Sequence, residues 1–396
     1  MQFPGEISAA QFLADYWQRR PLFVPGGLPP GLPELTANEL AWLATLADVE
    51  SRLVFTERSQ KTCKYRIEHG PFSDQQLSAL PEQDWTLLVQ DVEKHLPDFR
   101  AWFDCVDFIA DWRIDDLMVS FAAPGGSAGP HRDNYDVFLC QGPGARHWRL
   151  AADGADVREV QTEGALLLEP FTADVRHLAS AGDVLYLPPA VPHWGIAAAQ
   201  CMTYSIGMRA PDLSELHCGF ERLFPHSPPI SVVPLPAGGD RQVFADPDRQ
   251  ATESERGRIS AADLARVRSS FPSLAALAAG QLAILFGSVV TDPKAWLAPD
   301  QPDRATAESL LQRLSVTPGL KAHGMARLAW YGDEAGAYAF ANGHHRELAA
   351  VELPLMQGLC RQRRLCLHGR SAADDLSDLC RWLIRHGAVD GTSEGE

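Results

Sequence analysis

Between residues 105 and 210, short apolar runs alternate with turns rich in glycine and proline, and this texture limits the fold more than any other feature. The runs are Leu117–Ala123, Tyr135–Cys140, His147–Leu150, Ala165–Leu168, Asp183–Leu187 and Met202–Met208. Each is too short for a core helix and ends in turn residues, so each reads as a strand. Several short strands at regular spacing predict a small all-β barrel or jelly roll.

The flanks differ. Phe12, Leu13, Tyr16 and Trp17 predict a helix over Ala9–Arg19 that stops before Pro21, because proline disfavours helix in the residue preceding it. Leu22-Phe23-Val24 reads as a strand, and Thr36–Ala47 and Trp85–Leu96 as amphipathic helices. His226–Arg258 reads as a connection. Ala261–Trp296 is expected to be largely helical, with Leu264, Val267, Leu274, Leu277, Leu282 and Leu285 as apolar markers. Its apolar residues occupy more than one face, so it needs more than one neighbour, either a second subunit or the rest of its own chain. Met325–Tyr331 and Ala337–Ala341 read as strands joined by residues 332–336, and Leu353–Arg363 and Asp374–His386 as helices. Gly387 ends the last helix, and Gly391–Glu396 reads as a polar tail.

At 396 residues the chain exceeds one ordinary core. With 45% hydrophobic and 22% charged residues, its composition is that of a soluble globular protein. It has no apolar run of membrane-spanning length, and its first residues, Met1–Glu6, lack the basic and apolar parts of a signal peptide, so a cytoplasmic location is expected. The eight cysteines form no C-x-x-C pair and read as reduced core residues. A net charge of −16 favours basic partners and disfavours direct nucleic-acid binding. Arg361, Arg363 and Arg364 form a small basic cluster on a predicted helix and read as a solvated face.

The chemistry centres on Gly129-Pro130-His131-Arg132-Asp133. In a strand, residues i and i+2 share a face, so His131 and Asp133 can reach one metal ion. About sixty residues on, Gly182-Asp183-Val184-Leu185-Tyr186-Leu187-Pro188-Pro189 leads to His193 through a proline-braced turn. Two imidazoles and one carboxylate on one face form the facial triad of non-haem iron(II) oxygenases, with room left for a bidentate 2-oxo acid and O₂. Structural zinc prefers closed sites containing cysteine, and none is formed here. His147, His177, His217, His344 and His345 lack such a frame and read as surface or hydrogen-bonded core residues. A dicarboxylate cosubstrate needs a cation. Gly142–Gly144 reads as a tight turn of a hairpin beside the metal, with Arg146 and Trp148 on one face of its second strand and His147 and Arg149 on the other.

These residues resemble a known family. Asp111–Asp116, the Gly129–Phe138 run with His131, Asp133 and Tyr135, Gln141-Gly142, Gly182–His193 and Tyr204–Pro211 are similar to the bacterial ribosomal oxygenases, which are JmjC-domain proteins of the cupin-like hydroxylase superfamily. The opening Phe12-Leu13-x-x-Tyr16-Trp17-x-x-Arg20-Pro21-Leu22 is similar as well. The resemblance implies a mixed α and β protein. Its core is a double-stranded β-helix (jelly roll) with N-terminal helices, followed by a helical dimerisation region and a winged-helix-like domain. The expected divisions are a catalytic domain over 1–212, a dimerisation domain over 213–310 and the winged-helix-like domain over 311–396. It implies His131, Asp133 and His193 as ligands of Fe(II), Arg146 as the cation for 2-oxoglutarate, O₂ as cosubstrate, and hydroxylation of an arginine in large-subunit ribosomal protein sixteen.

Asp116, Tyr135 and Ser205 are candidates to hold the substrate. A carboxylate and an aromatic face suit a guanidinium, and a hydroxyl adds one hydrogen bond. Other readings are a histidine hydroxylase or demethylase of the same class, and a metal-binding cupin regulator without catalysis.

Overall fold

The computed structural model describes residues 1, 7–58, 63–152, 155, 157–162, 165–228, 242–251, 255–314, 319–333, 336–366 and 375–391. Parts of the expected 226–258 connection and of the turn at 332–336, residues 2–6 of the expected leaderless start, Asp374 and residues 392–396 lie outside these. The chain divides into two compact units, Met1–Val106 with Ile114–Met208, and Asp107–Arg113 with Arg209–Glu396.

In the first unit an eight-stranded sheet runs in the order Leu22–Val24, Val184–Leu187, Val137–Gln141, Cys201–Met208, Ile114–Ala122, Trp85–Val89, Ser51–Arg58, Cys63–His69. Its recorded pairings are antiparallel. A three-stranded sheet, Val175–Ser180, Ala145–Leu150 and His193–Ala197, supplies the other wall of the jelly roll. Val137, Leu139, Leu185 and Leu187 of the large sheet pack with Trp148, Leu150 and Ala179 of the small one. The N-terminal helix, Ala9–Asp15, is capped by Ser8, whose side chain accepts from the Gln11 amide. Its Phe12 is fully buried and meets Phe138 at 5.7 Å and Tyr186 at 4.9 Å between ring centroids. A buried aromatic of this kind contributes roughly 1.5–3 kcal/mol and anchors the helix to the sheet.

Two expectations fail here. Trp85–Leu96 is not a helix but the strand Trp85–Val89 followed by a short helical turn, Val92–His95, with Asp91 in the left-handed region at φ 55°. The strand is central and covered on both faces, so its continuous apolar run carries no period to separate strand from helix. The second failure is the hairpin across Gly142–Gly144. Val137–Gln141 pairs within the large sheet and Ala145–Leu150 within the small one, so this turn crosses between sheets. Gly144, at φ 86°, permits the crossing, and a Cβ there would meet the Gln200 carbonyl oxygen at 2.0 Å.

In the second unit, Leu213–Leu223, Ala261–Ser270 and Ala279–Val290 are helices beside a four-stranded sheet, Arg258–Ile259, Leu328–Asp333, Gly336–Ala341 and His344–Glu347. Ala261–Trp296 is thus two helices with a 3₁₀ turn, Pro272–Leu274, between them, because a proline lacks the amide that would continue the first. Leu264, Val267, Leu274, Leu282, Leu285 and Phe286 are buried within this chain, so the apolar faces are covered without a second subunit. Asp246 and Asp263 neutralise buried Arg249, and Asp246 also meets Arg113 at 3.2 Å. A second core gathers the helices Leu353–Gln362 and Asp375–Arg385 on the sheet Arg364–Cys366, Gly319–Ala322, Val389–Gly391. Gly387, at φ 60°, follows the last helix as expected. The basic cluster does not lie on one helix face. Arg361 is helical, Arg363 is the left-handed C-cap, and Arg364 begins a strand.

Candidate active site

His131, Asp133 and His193 converge at one end of the jelly roll. Their donor atoms lie within 4.8 Å of one another, the only such His/Cys/Asp/Glu group among the described residues. The expected strand through His131 and Asp133 is only a single bridge. The His131 amide donates to the His193 carbonyl at 3.0 Å, the reverse bond is 2.9 Å, and the chain then leaves the strand path. Convergence comes from the loop. Asp133 accepts from the Ala190 amide at 2.7 Å through its carbonyl, and Ala190 takes φ 66° to close that contact. Ser127, fully buried, accepts from the Gly129 amide and from Trp194 Nε1, bracing the residues before His131.

The histidine tautomers follow from their outer partners. His131 Nδ1 lies 2.9 Å from the Gly129 carbonyl and His193 Nδ1 lies 3.0 Å from that of Val191. A carbonyl only accepts, so each Nδ1 carries the proton and each Nε2 presents a lone pair to the site. The Nε2 atoms stand 3.9 Å and 3.7 Å from the Asp133 carboxylate oxygens. Burial, then the neighbouring His131, lowers the His193 pKa to about 4, so it is neutral at physiological pH. Two imidazoles and a carboxylate fit a divalent first-row metal.

These donors open into a cavity of about 280 Å³. Arg146 lines it from the Ala145–Leu150 strand and is 4% exposed. Its Nε and Nη2 have no hydrogen-bond partner among the described residues. Its guanidinium carbon lies 5.7 Å from the centre of the Trp148 ring. A buried cation with two unsatisfied nitrogens, in the same cavity as the three candidate metal donors, suits a carboxylate ligand. Arg149 lies on the opposite face of that strand, over Trp194 at 4.9 Å, and His147 is exposed.

Asp116, Tyr135 and Ser205 line the same cavity. Asp116 sits near the start of Ile114–Ala122, opposite Gly207. A Cβ at Gly207 would stand 3.0 Å from Asp116 Oδ1 and 3.9 Å from the Tyr135 ring, so the glycine keeps a slot open between them. The Asp133 carboxylate, then burial, then Asp116 and Asp115 raise the Tyr135 hydroxyl pKa well above its ordinary value, which keeps it neutral. Behind Tyr135, fully buried Asp136 accepts from Tyr186 at 2.6 Å and Gln18 at 2.8 Å. Buried Ser205 lies opposite Met118 and Leu139.

Arg52, Gln90, Met118 and Thr203 also line the cavity and were missed from sequence. Thr203 and Met118 were within reach, because each lies two residues from a site residue on the same strand, Ser205 and Asp116. Arg52 lies on Ser51–Arg58, whose partner strand alternates as Lys64-Tyr65-Arg66-Ile67-Glu68, while Gln90 follows Trp85–Val89, whose apolar run carries no period. The remaining histidines sit elsewhere. His177 stacks on Phe23, His217 lies 3.8 Å from Glu221, and His344 stacks on His386.

Residues 103–216 match the JmjC domain model. Over 220 residues the chain is 39% identical to the ribosomal protein uL16 3-hydroxylase of Escherichia coli (strain K12), covering 56% of this chain and 57% of that one. A ribosomal oxygenase relative from Haemophilus influenzae, so named provisionally, is 34% identical over 57% of this chain and 55% of its own length. The matches thus span little more than half of these curated relatives. Among solved structures, E. coli YcfD matches with a TM-score of 0.74 at 28% identity, over 98% of this chain and all of that one. YcfD solved with cobalt and 2-oxoglutarate matches with a TM-score of 0.68 at 28% identity, over 98% and 99% of the two chains.

Proposed function

We propose that this chain is an Fe(II)- and 2-oxoglutarate-dependent oxygenase that hydroxylates an arginine side chain of ribosomal protein uL16. The observation that carries the reading is one cavity holding three convergent metal donors and a buried, unpartnered Arg146. The name of the 39%-identical relative and the cobalt and 2-oxoglutarate complex of YcfD support it.

His131, Asp133 and His193 would hold the iron, which with 2-oxoglutarate and O₂ supplies the oxidising power. Arg146 would pair with the distal carboxylate of 2-oxoglutarate, and the low dielectric of its buried position strengthens that bond. Asp116 would take the substrate guanidinium, and the ring of Tyr135, a residue 41% exposed, would stack against its plane. Ser205 would accept a further hydrogen bond. Gly207 leaves the slot through which the side chain enters. The formal charge of −16 steers basic protein to the acidic enzyme.

We also read residues 1–212 as the catalytic domain, 213–310 as a homodimerisation region and 311–396 as a winged-helix-like domain. Trp296, 57% exposed, offers the second of these an apolar contact, and the helices Leu353–Gln362 and Asp375–Arg385 beside a small sheet suit the third. A dimer in sedimentation at micromolar concentration is expected. No helix among the described residues is long and apolar enough to cross a membrane, and a ribosomal substrate implies action in the cytoplasm. The deciding experiment incubates large-subunit ribosomal proteins with enzyme, Fe(II), 2-oxoglutarate and O₂. A gain of one oxygen on an arginine of uL16 is expected, and a gain on a histidine, or on none, overturns the assignment.

A further inference from the structure

On the cavity wall formed by Ser51–Arg58 and by Gln90, just after Trp85–Val89, two polar side-chain atoms lack hydrogen-bond partners among the described residues. Arg52 Nε and Gln90 Oε1 are both inaccessible to solvent, and neither makes a hydrogen bond among the described residues. Both residues line the cavity that holds Asp116 and Tyr135. Their placement is set by the sheet. Arg52 lies opposite Leu88, and the Gln90 amide donates to the Glu50 carbonyl at 2.9 Å, so Leu88 and Gln90 fall two residues apart on one face. Leu88 in turn lies opposite Ser120, two residues along the same strand from Met118 and four from Asp116, so all share one face.

A cationic donor and an amide acceptor on half-buried side chains, each with an unsatisfied atom, suit a ligand with an acceptor and a donor close together. The group that necessarily enters the cavity mouth along with a substrate side chain is the peptide main chain, which offers that pair at every residue. We propose that Arg52 and Gln90 form a main-chain subsite. Arg52 donates to a substrate carbonyl and Gln90 Oε1 accepts from a substrate amide, next to the residue whose side chain lies between Asp116 and Tyr135. This rests on the protein-hydroxylase reading above. It explains how the site can demand an extended peptide rather than a free amino acid, since these contacts ignore the side chains of the neighbouring residues.

The test uses the full chain and peptides from the uL16 loop, each with a single main-chain N-methyl group, and a parallel set in which the target residue is alanine. Binding is read by fluorescence anisotropy and turnover by mass. For the wild type, one N-methyl position next to the target is expected to weaken binding ~10-fold, the loss of about one desolvated hydrogen bond. In Gln90→Leu that position should make no further difference, whereas Gln90→Glu, which keeps the acceptor, should remain sensitive. Arg52→Met should raise the peptide KM ~10-fold with kcat little changed. Wild-type binding indifferent to every N-methyl group, or equal sensitivity in wild type and Gln90→Leu, overturns the subsite. If peptides bind in this pattern but no oxygen is gained, the hydroxylase reading falls and the subsite stands. If oxygen is gained and the variants behave as wild type, the subsite alone falls. If the wild type neither binds nor oxidises any peptide, both fall.

Discussion

Replacing Arg146 with methionine separates its cost to the fold from its use in binding. The side chain is 4% exposed and two of its guanidinium nitrogens have no partner among the described residues, so the ligand-free protein bears the expense of a desolvated cation. Methionine has a similar length and no charge, so Arg146→Met is expected to leave the ligand-free protein as stable as wild type, or more stable by about 1 kcal/mol. Binding should move the other way. A charge-assisted contact contributes about 1.5–3 kcal/mol, so the 2-oxoglutarate requirement should rise about 10- to 150-fold. The two effects meet in a chemical denaturation assay with cobalt at the metal site. At 2-oxoglutarate equal to 100 times the wild-type Kd, wild type gains about 2.7 kcal/mol. A variant that binds 100-fold more weakly gains only about 0.4 kcal/mol from the same solution. Loss of more than about 1 kcal/mol in the ligand-free variant would mean that Arg146 supports the fold. An unchanged 2-oxoglutarate dependence would move the anchor elsewhere, with Arg149 the next residue to examine.

His131→Ala, Asp133→Ala and His193→Ala should each abolish turnover and metal binding measured by isothermal titration, and near-native turnover in any one removes that residue from the ligand set. Asp116→Ala should lower turnover of an arginine peptide at least ~10-fold, equivalent to roughly 1.4 kcal/mol, with a histidine peptide as the control. A wild type that oxidises only the histidine peptide refutes the guanidinium slot. Burial, then His344, lowers the His386 pKa from 6.5 to about 4. The unfolded chain therefore takes up this proton first, and the stability the neutral ring supports is lost as pH falls below about 6.5 towards 4. His386→Gln should flatten the fall in urea midpoint between pH 7 and pH 5, and an equal fall in both proteins refutes the assignment.

What could be read from sequence was local. His131, Asp133 and His193 were legible because a two-residue spacing and a proline-braced turn limit where those side chains can point, and the structure brings them within 4.8 Å. Leu22–Val24 and Ala165–Leu168 were legible as strands because turn residues bound them closely. The period-2 face of Ala145–Leu150 put Arg146 and Trp148 together, and both line the cavity.

Other features depend on partners distant in the chain. Trp85–Val89 reads as well for helix as for strand until Ser51–Arg58 and Ile114–Ala122 flank it, since burial on both faces erases the period. Whether Gly142–Gly144 joins one sheet or two was decided by Met202, whose carbonyl accepts the Gly142 amide, and by the pairing of Ala145–Leu150 with His193–Ala197. The apolar faces of Leu264–Phe286 were ambiguous between a partner and the chain itself until Phe244, Tyr331 and Phe340 covered them. By itself the sequence picked out His131, Asp133 and His193 as candidate metal donors and the small β-rich core, because both are written in short-range spacing. Only the tertiary structure decided which sheet each strand joins, and that Arg52 and Gln90 share a cavity with Asp116, because strand pairing is set by contacts that no local window contains.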